Sequence, residues 1–405
     1  MIYLNRVERH LIKKSHPMYK VIDEYCFKSK NLYNLGNYHV RQEFICSGKY
    51  INYNTLTKNL KHSEAFKSIG SNSGQHTLKL LEMNWKSFFA GIKDWAKNKE
   101  KYTSRPKLPR YLSRDGRFVW VLTNHQSKII DGELKFSFKP LKKYNGLIKT
   151  KVTEKHMQTR FTKQGTNYLM EIVYRQENAN NLLTQDNMII GIDLGIGRFA
   201  TVQNTFRAKS FAINGNKIKA VNNYYNKKLS KLRSTAKKVN NKDWTNQMSR
   251  LTTKRNNILE NFMHQASRRI VNYCIEHQVD TVVVGYNERW KQGAKLGRSN
   301  QTFVQIPYLK FLNKLEYKLG DVGVRLIKTE ESYTSKASFL DNDEMRKNVG
   351  FSGKRIERGL YKSSCGSYIN ADINGAGNII RKVYPNAFFD GLQGVDLHPK
   401  IINII

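Results

Sequence analysis

The run "MIIGIDLGIGRFATVQN", residues 188–204, decides how the C-terminal half of the chain is interpreted. An apolar stretch ends at Asp193, Gly195 and Gly197 follow, and a second apolar stretch then begins. Short apolar runs bounded by glycine are typical of buried strands, and glycine lets backbone or phosphate approach closely. The run therefore predicts the first two strands of an α/β sheet, with a carboxylate at the end of the first.

The segments that follow extend this sheet. A long polar helical pair, dense in Lys, Arg and Asn, is predicted from residue 218 to about 277. After it come a buried strand in "DTVVVGYN" (280–287), a helix in "PYLKFLNKLEYKLGD" (307–321), another buried strand in "VRLIKTEE" (324–331) and a final helix in "ADINGAGNIIRKVY" (371–384). Strands alternating with helices favour an α/β domain.

The N-terminal half has a different pattern. Residues 1–12 predict a strand, residues 13–102 carry apolar residues at helical spacing, and short alternating runs separated by turn residues extend from about 103 to 178. The last pattern is typical of a small β barrel. A boundary is expected near residues 183–188, so the chain is predicted to be multidomain, an α/β domain plus a β barrel with a helical insertion.

Composition points to a polyanionic partner. The 405 residues include 70 Lys plus Arg against 32 Asp plus Glu, a formal charge of +38. Because the basic residues run from end to end, nucleic acid is favoured over a membrane surface, which more often attracts one basic helix or tail. The N-terminus is charged and no window is apolar enough for a membrane span, so a cytoplasmic protein is expected.

Three acidic segments are candidates for catalysis. Asp193 ends a strand, Glu330 and Glu331 follow another, and Asp372 lies beside small residues on one face of the last helix. Taken singly, each has an ordinary explanation: a strand end, an exposed Glu with a structural salt bridge, or an N-cap Asp. Together, carboxylates from two strands and a helix can hold divalent ions for phosphodiester hydrolysis, and Mg²⁺ would relieve their repulsion.

These segments resemble the TnpB (OrfB-type) proteins of bacterial insertion sequences, which are related to type V CRISPR effectors. The resemblance is carried by "GIDLG" (191–195), "EESYTSKASFLD" (330–341), "INADINGAGNI" (369–379) and "YPNAF" (384–388), and "SRPKLPRY" (104–111) resembles the start of the family's second wedge segment. It implies a wedge β barrel at 1–12 and 103–185, a helical recognition domain at 13–102, and a RuvC nuclease domain of RNase H fold at 186–405.

The chain departs from the family at the middle acid. Most members carry that acid at the end of the strand written here "TVVVG" (281–285), where this chain has Gly285. Some members and their Fanzor relatives carry it on the later strand, just before a Thr-Ser pair, and Glu331 matches that position. Glu330 is the second choice because a register slip by one residue reverses the face of a strand. Glu288 is closer in sequence to the lost position but lies past the strand end.

A second departure concerns zinc. The family usually inserts a ribbon with two CxxC pairs, which corresponds here to about residues 333–368. Ser338 and Asp341 stand where the first pair is expected, and Lys362 and Cys365 where the second is. One thiol in four positions cannot complete a thiolate zinc site, so a degenerate ribbon without structural zinc is predicted.

The resemblance implies a transposon-encoded RNA-guided DNA endonuclease in which Asp193, Glu331 and Asp372 hold two Mg²⁺ ions. Its partners would be a guide RNA from the transposon end and double-stranded target DNA with a short flanking motif. Four residues of the helical module are candidates for contacting that motif: Tyr53, Thr55, Gln75 and Lys79.

Three other functions fit parts of the pattern. A guide-RNA-dependent DNA-binding repressor would keep the basic charge without cleavage. An unguided RuvC-type resolvase would purify free of RNA and bind branched DNA. A structural RNA-binding protein would have no use for clustered acids.

Overall fold

The chain is described from a computed structural model that covers residues 3–177, 187–287, 297, 300–388 and 394–404. It divides into two compact units, Met1–Glu177 and Asn178–Ile405. In the described part of the chain, no helix is both long enough and apolar enough to cross a membrane.

The N-terminal unit combines an antiparallel sheet with a group of helices. Its helices are α1 (Tyr19–Ser47), α2 (Tyr53–Leu60), α3 (Glu64–Ile69), α4 (Ser71–Lys97) and α5 (Lys139–Lys142), with a 3-10 turn at Lys99–Lys101. Its strands are β1 (Tyr3–Ile12), β2 (Trp120–Thr123), β3 (Ser127–Ile130), β4 (Glu133–Phe136), β5 (Lys155–Gln164) and β6 (Asn167–Glu177). The order β1-β6-β5-β2 forms one antiparallel sheet, and β3 pairs with β4 in a hairpin.

Aromatic packing joins the helices of this unit to its sheet. Trp85 of α4 is fully buried and donates its indole N–H to Asn37 Oδ1 at 3.0 Å. Trp120 of β2 stacks on Phe161 of β5 with ring centroids 5.0 Å apart, and its indole N–H contacts Ser73 Oγ of α4. A buried indole needs such a partner for its N–H, so these contacts fix how the helices lie on the sheet.

Asp23 of α1 anchors a partly buried polar network in the same unit. It accepts hydrogen bonds from Arg117, Lys163 and Tyr168 at 2.7, 3.2 and 2.6 Å. Burial alone would raise the pKa of Asp23, but these three hydrogen bonds outweigh it and lower the pKa to about 2. The network links α1 to β5 and β6 by charge as well as by apolar packing.

The C-terminal unit is built on a mixed six-stranded sheet. The described strands of this unit, inside and outside that sheet, are β7 (Ile189–Leu194), β8 (Arg198–Asn204), β9 (Phe211–Asn214), β10 (Thr281–Gly285), β11 (Arg325–Thr329), β12 (Lys354–Glu357), β13 (Leu360–Lys362), β14 (Tyr368–Asn370) and β15 (Lys400–Ile402). Its helices are α6 (Asn216–Asn240), α7 (Asn246–Glu276), α8 (Asn300–Gln305), α9 (Tyr308–Gly320) and α10 (Ala371–Val383).

The sheet order is β11-β10-β7-β8-β9-β15, with β10 parallel to both β7 and β11. Residues of α7 and α9 such as Phe262 and Phe311 join one apolar cluster with the sheet, while Ile379 and Ile380 of α10 pack with Ile189 and Val283 in another. Because successive strand residues point to opposite faces, the two clusters lie on the two sides of the sheet. Strands β12, β13 and β14 form a separate three-stranded sheet.

The predicted strands in 188–204, 280–287 and 324–331 and the helices in 307–321 and 371–384 are all present. One prediction is wrong: β11 is partly exposed rather than buried, because it is the edge strand of the sheet. The strands β9 and β15 were not predicted, since three or four residues give too short a pattern. In the N-terminal unit the structure has a four-stranded sheet and a two-stranded hairpin. That these strands form a β barrel remains a prediction.

Candidate active site

Asp193 lies at the carboxyl end of β7, where the sheet meets helix α10. A Cβ added at Gly375 of α10 would lie 2.8 Å from Asp193 Oδ2, so the helix approaches this carboxylate as closely as only glycine allows. Burial first, and then the charges of Asp372 and Glu331, raise the pKa of Asp193 well above its usual range, with Arg355 opposing. The three acids named from the sequence are thus electrostatic neighbours.

Glu331 follows β11 and turns back toward the end of β10. A Cβ added at Gly285 would lie 2.5 Å from Glu331 Oε1 and 2.7 Å from its Cγ, so the space beside Gly285 is filled by the Glu331 side chain. The Oε1 atom is buried and has no hydrogen-bond partner among the described residues. Burial raises the pKa of Glu331 to about 7. A buried carboxylate oxygen without a donor is costly, which suits an atom meant for a ligand.

Asp372 sits in the first turn of α10. The N-cap of this helix is Asn370, whose Oδ1 accepts from Asp372 N at 3.1 Å and Ile373 N at 3.3 Å, so the N-cap explanation of Asp372 is wrong. Its Oδ2 accepts from Arg198 Nη1 at 2.8 Å. One oxygen of the Asp372 carboxylate is therefore held by the Arg198 guanidinium.

Glu330 is placed differently from its neighbour. Its side chain is 57% exposed and pairs with Lys382, while its Oε2 accepts from Ser332 N at 2.7 Å. The structure therefore brings Glu331 to Asp193 and leaves Glu330 at the surface, which matches the alternation expected of consecutive residues at a strand end. Glu288 lies outside the described residues.

Sequence reasoning missed several residues that support the acids. Tyr308 at the start of α9 is buried and donates its hydroxyl to Gly195 O at 2.9 Å, which fixes the turn after Asp193. Burial, followed by the charges of Asp193 and Glu331, raises the pKa of this phenol. Asn287 Oδ1 accepts from Glu331 N at 3.0 Å. Tyr308 lies in the helix predicted at 307–321, where nothing in the sequence distinguishes it from residues that only pack the helix, and no spacing rule ties Asn287 to β11.

The donor set suits a hard divalent cation. Carboxylate oxygens are the ligands that Mg²⁺ prefers, and within the described ranges no protein group donates to the buried Oε1 of Glu331. Across the ranges described above, no group of three or more His, Cys, Asp and Glu is already gathered as a metal site. In this arrangement one oxygen of Asp372 is paired with the Arg198 guanidinium.

The segment expected to correspond to the ribbon, about residues 333–368, is held together by hydrogen bonds and a small apolar cluster. Asp341 accepts from Ser364 N at 2.9 Å and Ser364 Oγ at 2.5 Å, and donates its backbone N–H to Ser338 Oγ at 3.3 Å. Cys365 is exposed and contacts serine hydroxyls, which lower its pKa to about 7. Lys362 ends β13 beside this turn. Phe339 and Tyr361 pack beneath.

The four candidate nucleic-acid contacts lie on α2 and α4. Tyr53 begins α2, and its ring centroid lies 5.4 Å from the Lys79 ammonium. Gln75 and Lys79 are exposed one helical turn apart. Thr55 is exposed, and its backbone N–H is capped by Asn52 Oδ1. Tyr53 and Lys79 are brought together; for Thr55 the structure gives only surface placement.

Comparison with known proteins agrees with this architecture. A family model described as a probable transposase, OrfB_IS605, matches residues 171–291, and a Cas12f1-like TNB domain model matches residues 308–379. The search of curated proteins gives no match.

Among solved structures, one described as a Cas12f1-sgRNA-target DNA complex matches with a TM-score of 0.56 and 13% identity over 89% of this chain and 82% of that chain. CasPhi-2 (Cas12j) bound to crRNA matches with a TM-score of 0.46 and 9% identity over 98% of this chain and 99% of that chain. The first likeness supports a multidomain α/β fold. The matches of the two family models, over residues 171–291 and 308–379, support a TnpB-like protein.

Proposed function

We propose that the protein is a transposon-encoded RNA-guided DNA endonuclease that hydrolyses phosphodiester bonds at a RuvC-type site. The observation that carries the proposal is the buried Oε1 of Glu331, which is packed against Gly285, feels the charge of Asp193 and has no hydrogen-bond partner in the part of the chain that the structure describes. The family matches and the likeness to a structure described with sgRNA and target DNA support the guide RNA and the DNA substrate.

In this proposal Asp193, Glu331 and Asp372 hold two Mg²⁺ ions. Bound Mg²⁺ would supply a water of lowered pKa and charge stabilisation for the leaving oxygen. The protein's part is to hold the three carboxylates ionised in one place, although burial and mutual repulsion raise the pKa values of Asp193 and Glu331. Tyr308 fixes the turn after Asp193, and Asn287 fixes the backbone of Glu331.

The remaining parts follow the same proposal. Residues 1–12 and 103–185 would form the wedge barrel, 13–102 the recognition domain, and 186–405 the nuclease domain of RNase H fold. Tyr53, Thr55, Gln75 and Lys79 would contact the DNA motif that flanks the target, where exposed hydroxyl, amide and ammonium groups can reach bases or phosphates. The degenerate ribbon would fold without zinc.

The test is cleavage of a plasmid that carries a match to the RNA that copurifies with the chain. The wild type should cut the plasmid in Mg²⁺, Asp193→Ala should not, and Asp243→Asn should cut normally because Asp243 is 93% exposed. If wild type and Asp193→Ala both bind the matched plasmid without cutting it, the protein is a guide-dependent repressor. If no RNA copurifies and branched DNA is cut, it is an unguided resolvase.

A further inference from the structure

Helix α6 is the most one-sidedly charged element of the chain. Its sequence carries eight Lys or Arg residues and no Asp or Glu. The nearest acid beyond its end, Asp243, lies 3.6 Å from Lys237 and both side chains are exposed. An exposed ion pair of this kind is weak, so the acidic residues that the structure describes leave nearly all of the positive charge of α6 uncompensated. Such a surface fits a polyanion.

The charges of α6 form a stripe rather than a scatter. At 3.6 residues per turn, the exposed residues Tyr224, Lys227, Lys228, Lys231 and Lys238 fall within an arc of about 100°. From Tyr224 to Lys238 the stripe is about 21 Å long at 1.5 Å per residue. We call these five residues the α6 stripe. It begins with an aromatic ring that is 63% exposed.

An apolar pocket lies beside the first residue of the stripe, between α6 and α7. Its volume is about 320 Å³, at the lower end of ligand pockets. The residues that give it its character are Tyr224, Tyr225, Leu251, Lys254, Arg255 and Ile258. A nucleic-acid base needs an aromatic or aliphatic surface to stack on, and its phosphate needs a cation nearby. The pocket offers both, because Lys254 and Arg255 line it together with the aromatic and aliphatic side chains.

Arg255 has an unbalanced charge in this pocket. Its guanidinium stacks over Tyr225 at 5.3 Å and donates to three neutral oxygens: Asn222 Oδ1, Asn256 Oδ1 and Gln305 O. The contacts fix its orientation without neutralising it. Oriented Arg beside an aromatic wall is a favourable setting for a phosphate next to a stacked base.

The α6 stripe lies on a helix that begins at the turn following Asp193. Gly215, the residue before α6, donates its N–H to Gly197 O at 2.8 Å, and Gly197 belongs to the turn that follows Asp193. The helix therefore starts at the turn of the candidate active site. A strand that followed the stripe toward the helix N-terminus would pass Tyr224 on its way to the start of the helix.

We propose that the pocket between α6 and α7 and the α6 stripe bind single-stranded DNA, with one base in the pocket and successive phosphates on the lysines, and so guide the strand to be cut toward Asp193. This rests on the proposed function for the choice of DNA. A single strand is favoured over a duplex because the bases of a duplex are not free to enter a pocket.

The test is equilibrium binding of a fluorescein-labelled oligothymidylate of about 20 nucleotides to the full-length chain as purified, in EDTA, by fluorescence anisotropy at several salt concentrations. Tyr224→Ala should weaken binding about 5- to 150-fold with an unchanged salt slope, because stacking is lost and no charge is. Tyr224→Phe should bind as the wild type does.

The lysines of the α6 stripe are tested by the salt dependence of DNA binding. The triple variant Lys227→Gln/Lys231→Gln/Lys238→Gln should make the slope of log affinity against log salt shallower by about 2, since each neutralised phosphate on a single strand contributes about 0.7. A matched variant removes three lysines from exposed positions elsewhere, Lys128→Gln/Lys347→Gln/Lys400→Gln. It should leave the slope unchanged; an equal loss in both triple variants would overturn the proposal.

Two further outcomes decide the partner. Ultraviolet cross-linking should join the oligothymidylate to the peptide containing Tyr224; copurified RNA cross-linked there instead, with the DNA elsewhere, would overturn the assignment to DNA. Because the assay contains no metal, it reads binding even in a protein that does not cleave. If Tyr224→Ala binds DNA as the wild type does and cuts the plasmid normally, the proposal that the α6 stripe binds single-stranded DNA is wrong. The proposed nuclease function is unaffected by that result.

Discussion

Gly285 gives the sharpest test of the candidate site, because Glu331 occupies the space beside it. An alanine Cβ at position 285 would lie 2.5 Å from Glu331 Oε1, 2.7 Å from Glu331 Cγ and 2.7 Å from Ile379 Cδ1. Carbon atoms pack at about 3.5–4.0 Å, so the Glu331 side chain has to move by about 1 Å. Gly285→Ala therefore perturbs the middle acid without touching its chemistry.

The expected effect on rate is large and the effect on folding is moderate. A misplacement of about 1 Å at a reacting centre costs about 10²-fold in rate. Overpacking of this kind costs about 1–3 kcal/mol of stability, which a domain of this size tolerates. Gly285→Ala should therefore fold, bind guide RNA, and cut the matched plasmid about 10²-fold more slowly than the wild type.

The matched control is Gly320→Ala at the end of α9, where an added Cβ meets no atom within 4 Å. It should cut at the wild-type rate. A swap gives a second check: Gly285→Glu/Glu331→Ala puts a carboxylate back into the same space from β10 and should recover part of the activity that either single substitution loses. Wild-type cleavage by folded Gly285→Ala would refute the placement of Glu331.

Three further predictions concern other residues. Glu331→Gln should lower guided cleavage at least about 10²-fold in single-turnover assays, whereas Glu330→Gln, at an exposed position, should change it less than about twofold; the reverse order would contradict the register. Asp23→Asn should lower the free energy of unfolding by about 1–2 kcal/mol at pH 7 in urea titrations. Because the folded pKa of Asp23 is lowered from 3.8 to about 2, its contribution is complete above pH 4 and is lost as the pH falls toward 2, so the difference between wild type and variant should vanish there. Asp341→Ala should lower stability by about 1 kcal/mol, and a chelator should leave the melting temperature of the wild type unchanged; one zinc per chain by elemental analysis would contradict a ribbon closed by hydrogen bonds.

The sequence predicts the central elements of the C-terminal unit well because they are long and strongly patterned. The runs that become β7, β8 and β10 are apolar and bounded by Gly, and the small residues of α10 predict its close packing on β7, which Gly375 and Asp193 display. The partial exposure of β11 could not be predicted, since strand order decides which strand lies at an edge.

The supporting contacts of the site were beyond sequence reasoning for a similar reason. Arg198 and Asp372 are 174 positions apart in the chain, and Tyr308 reaches Gly195 across 113. Such pairs depend on how elements pack rather than on any local period. The choice between Glu330 and Glu331 depended on one residue of register, which only the placement of the strand end decides.

The central claim is that Asp193, Glu331 and Asp372 together bind divalent cations, and titration with Mn²⁺ monitored by electron paramagnetic resonance tests it most directly. The wild type should remove Mn²⁺ from solution with about two sites that Mg²⁺ competes for, and Asp193→Asn and Glu331→Gln should each abolish or weaken this binding while Asp243→Asn leaves it intact. Equal Mn²⁺ binding by the wild type and by both site variants would contradict the account.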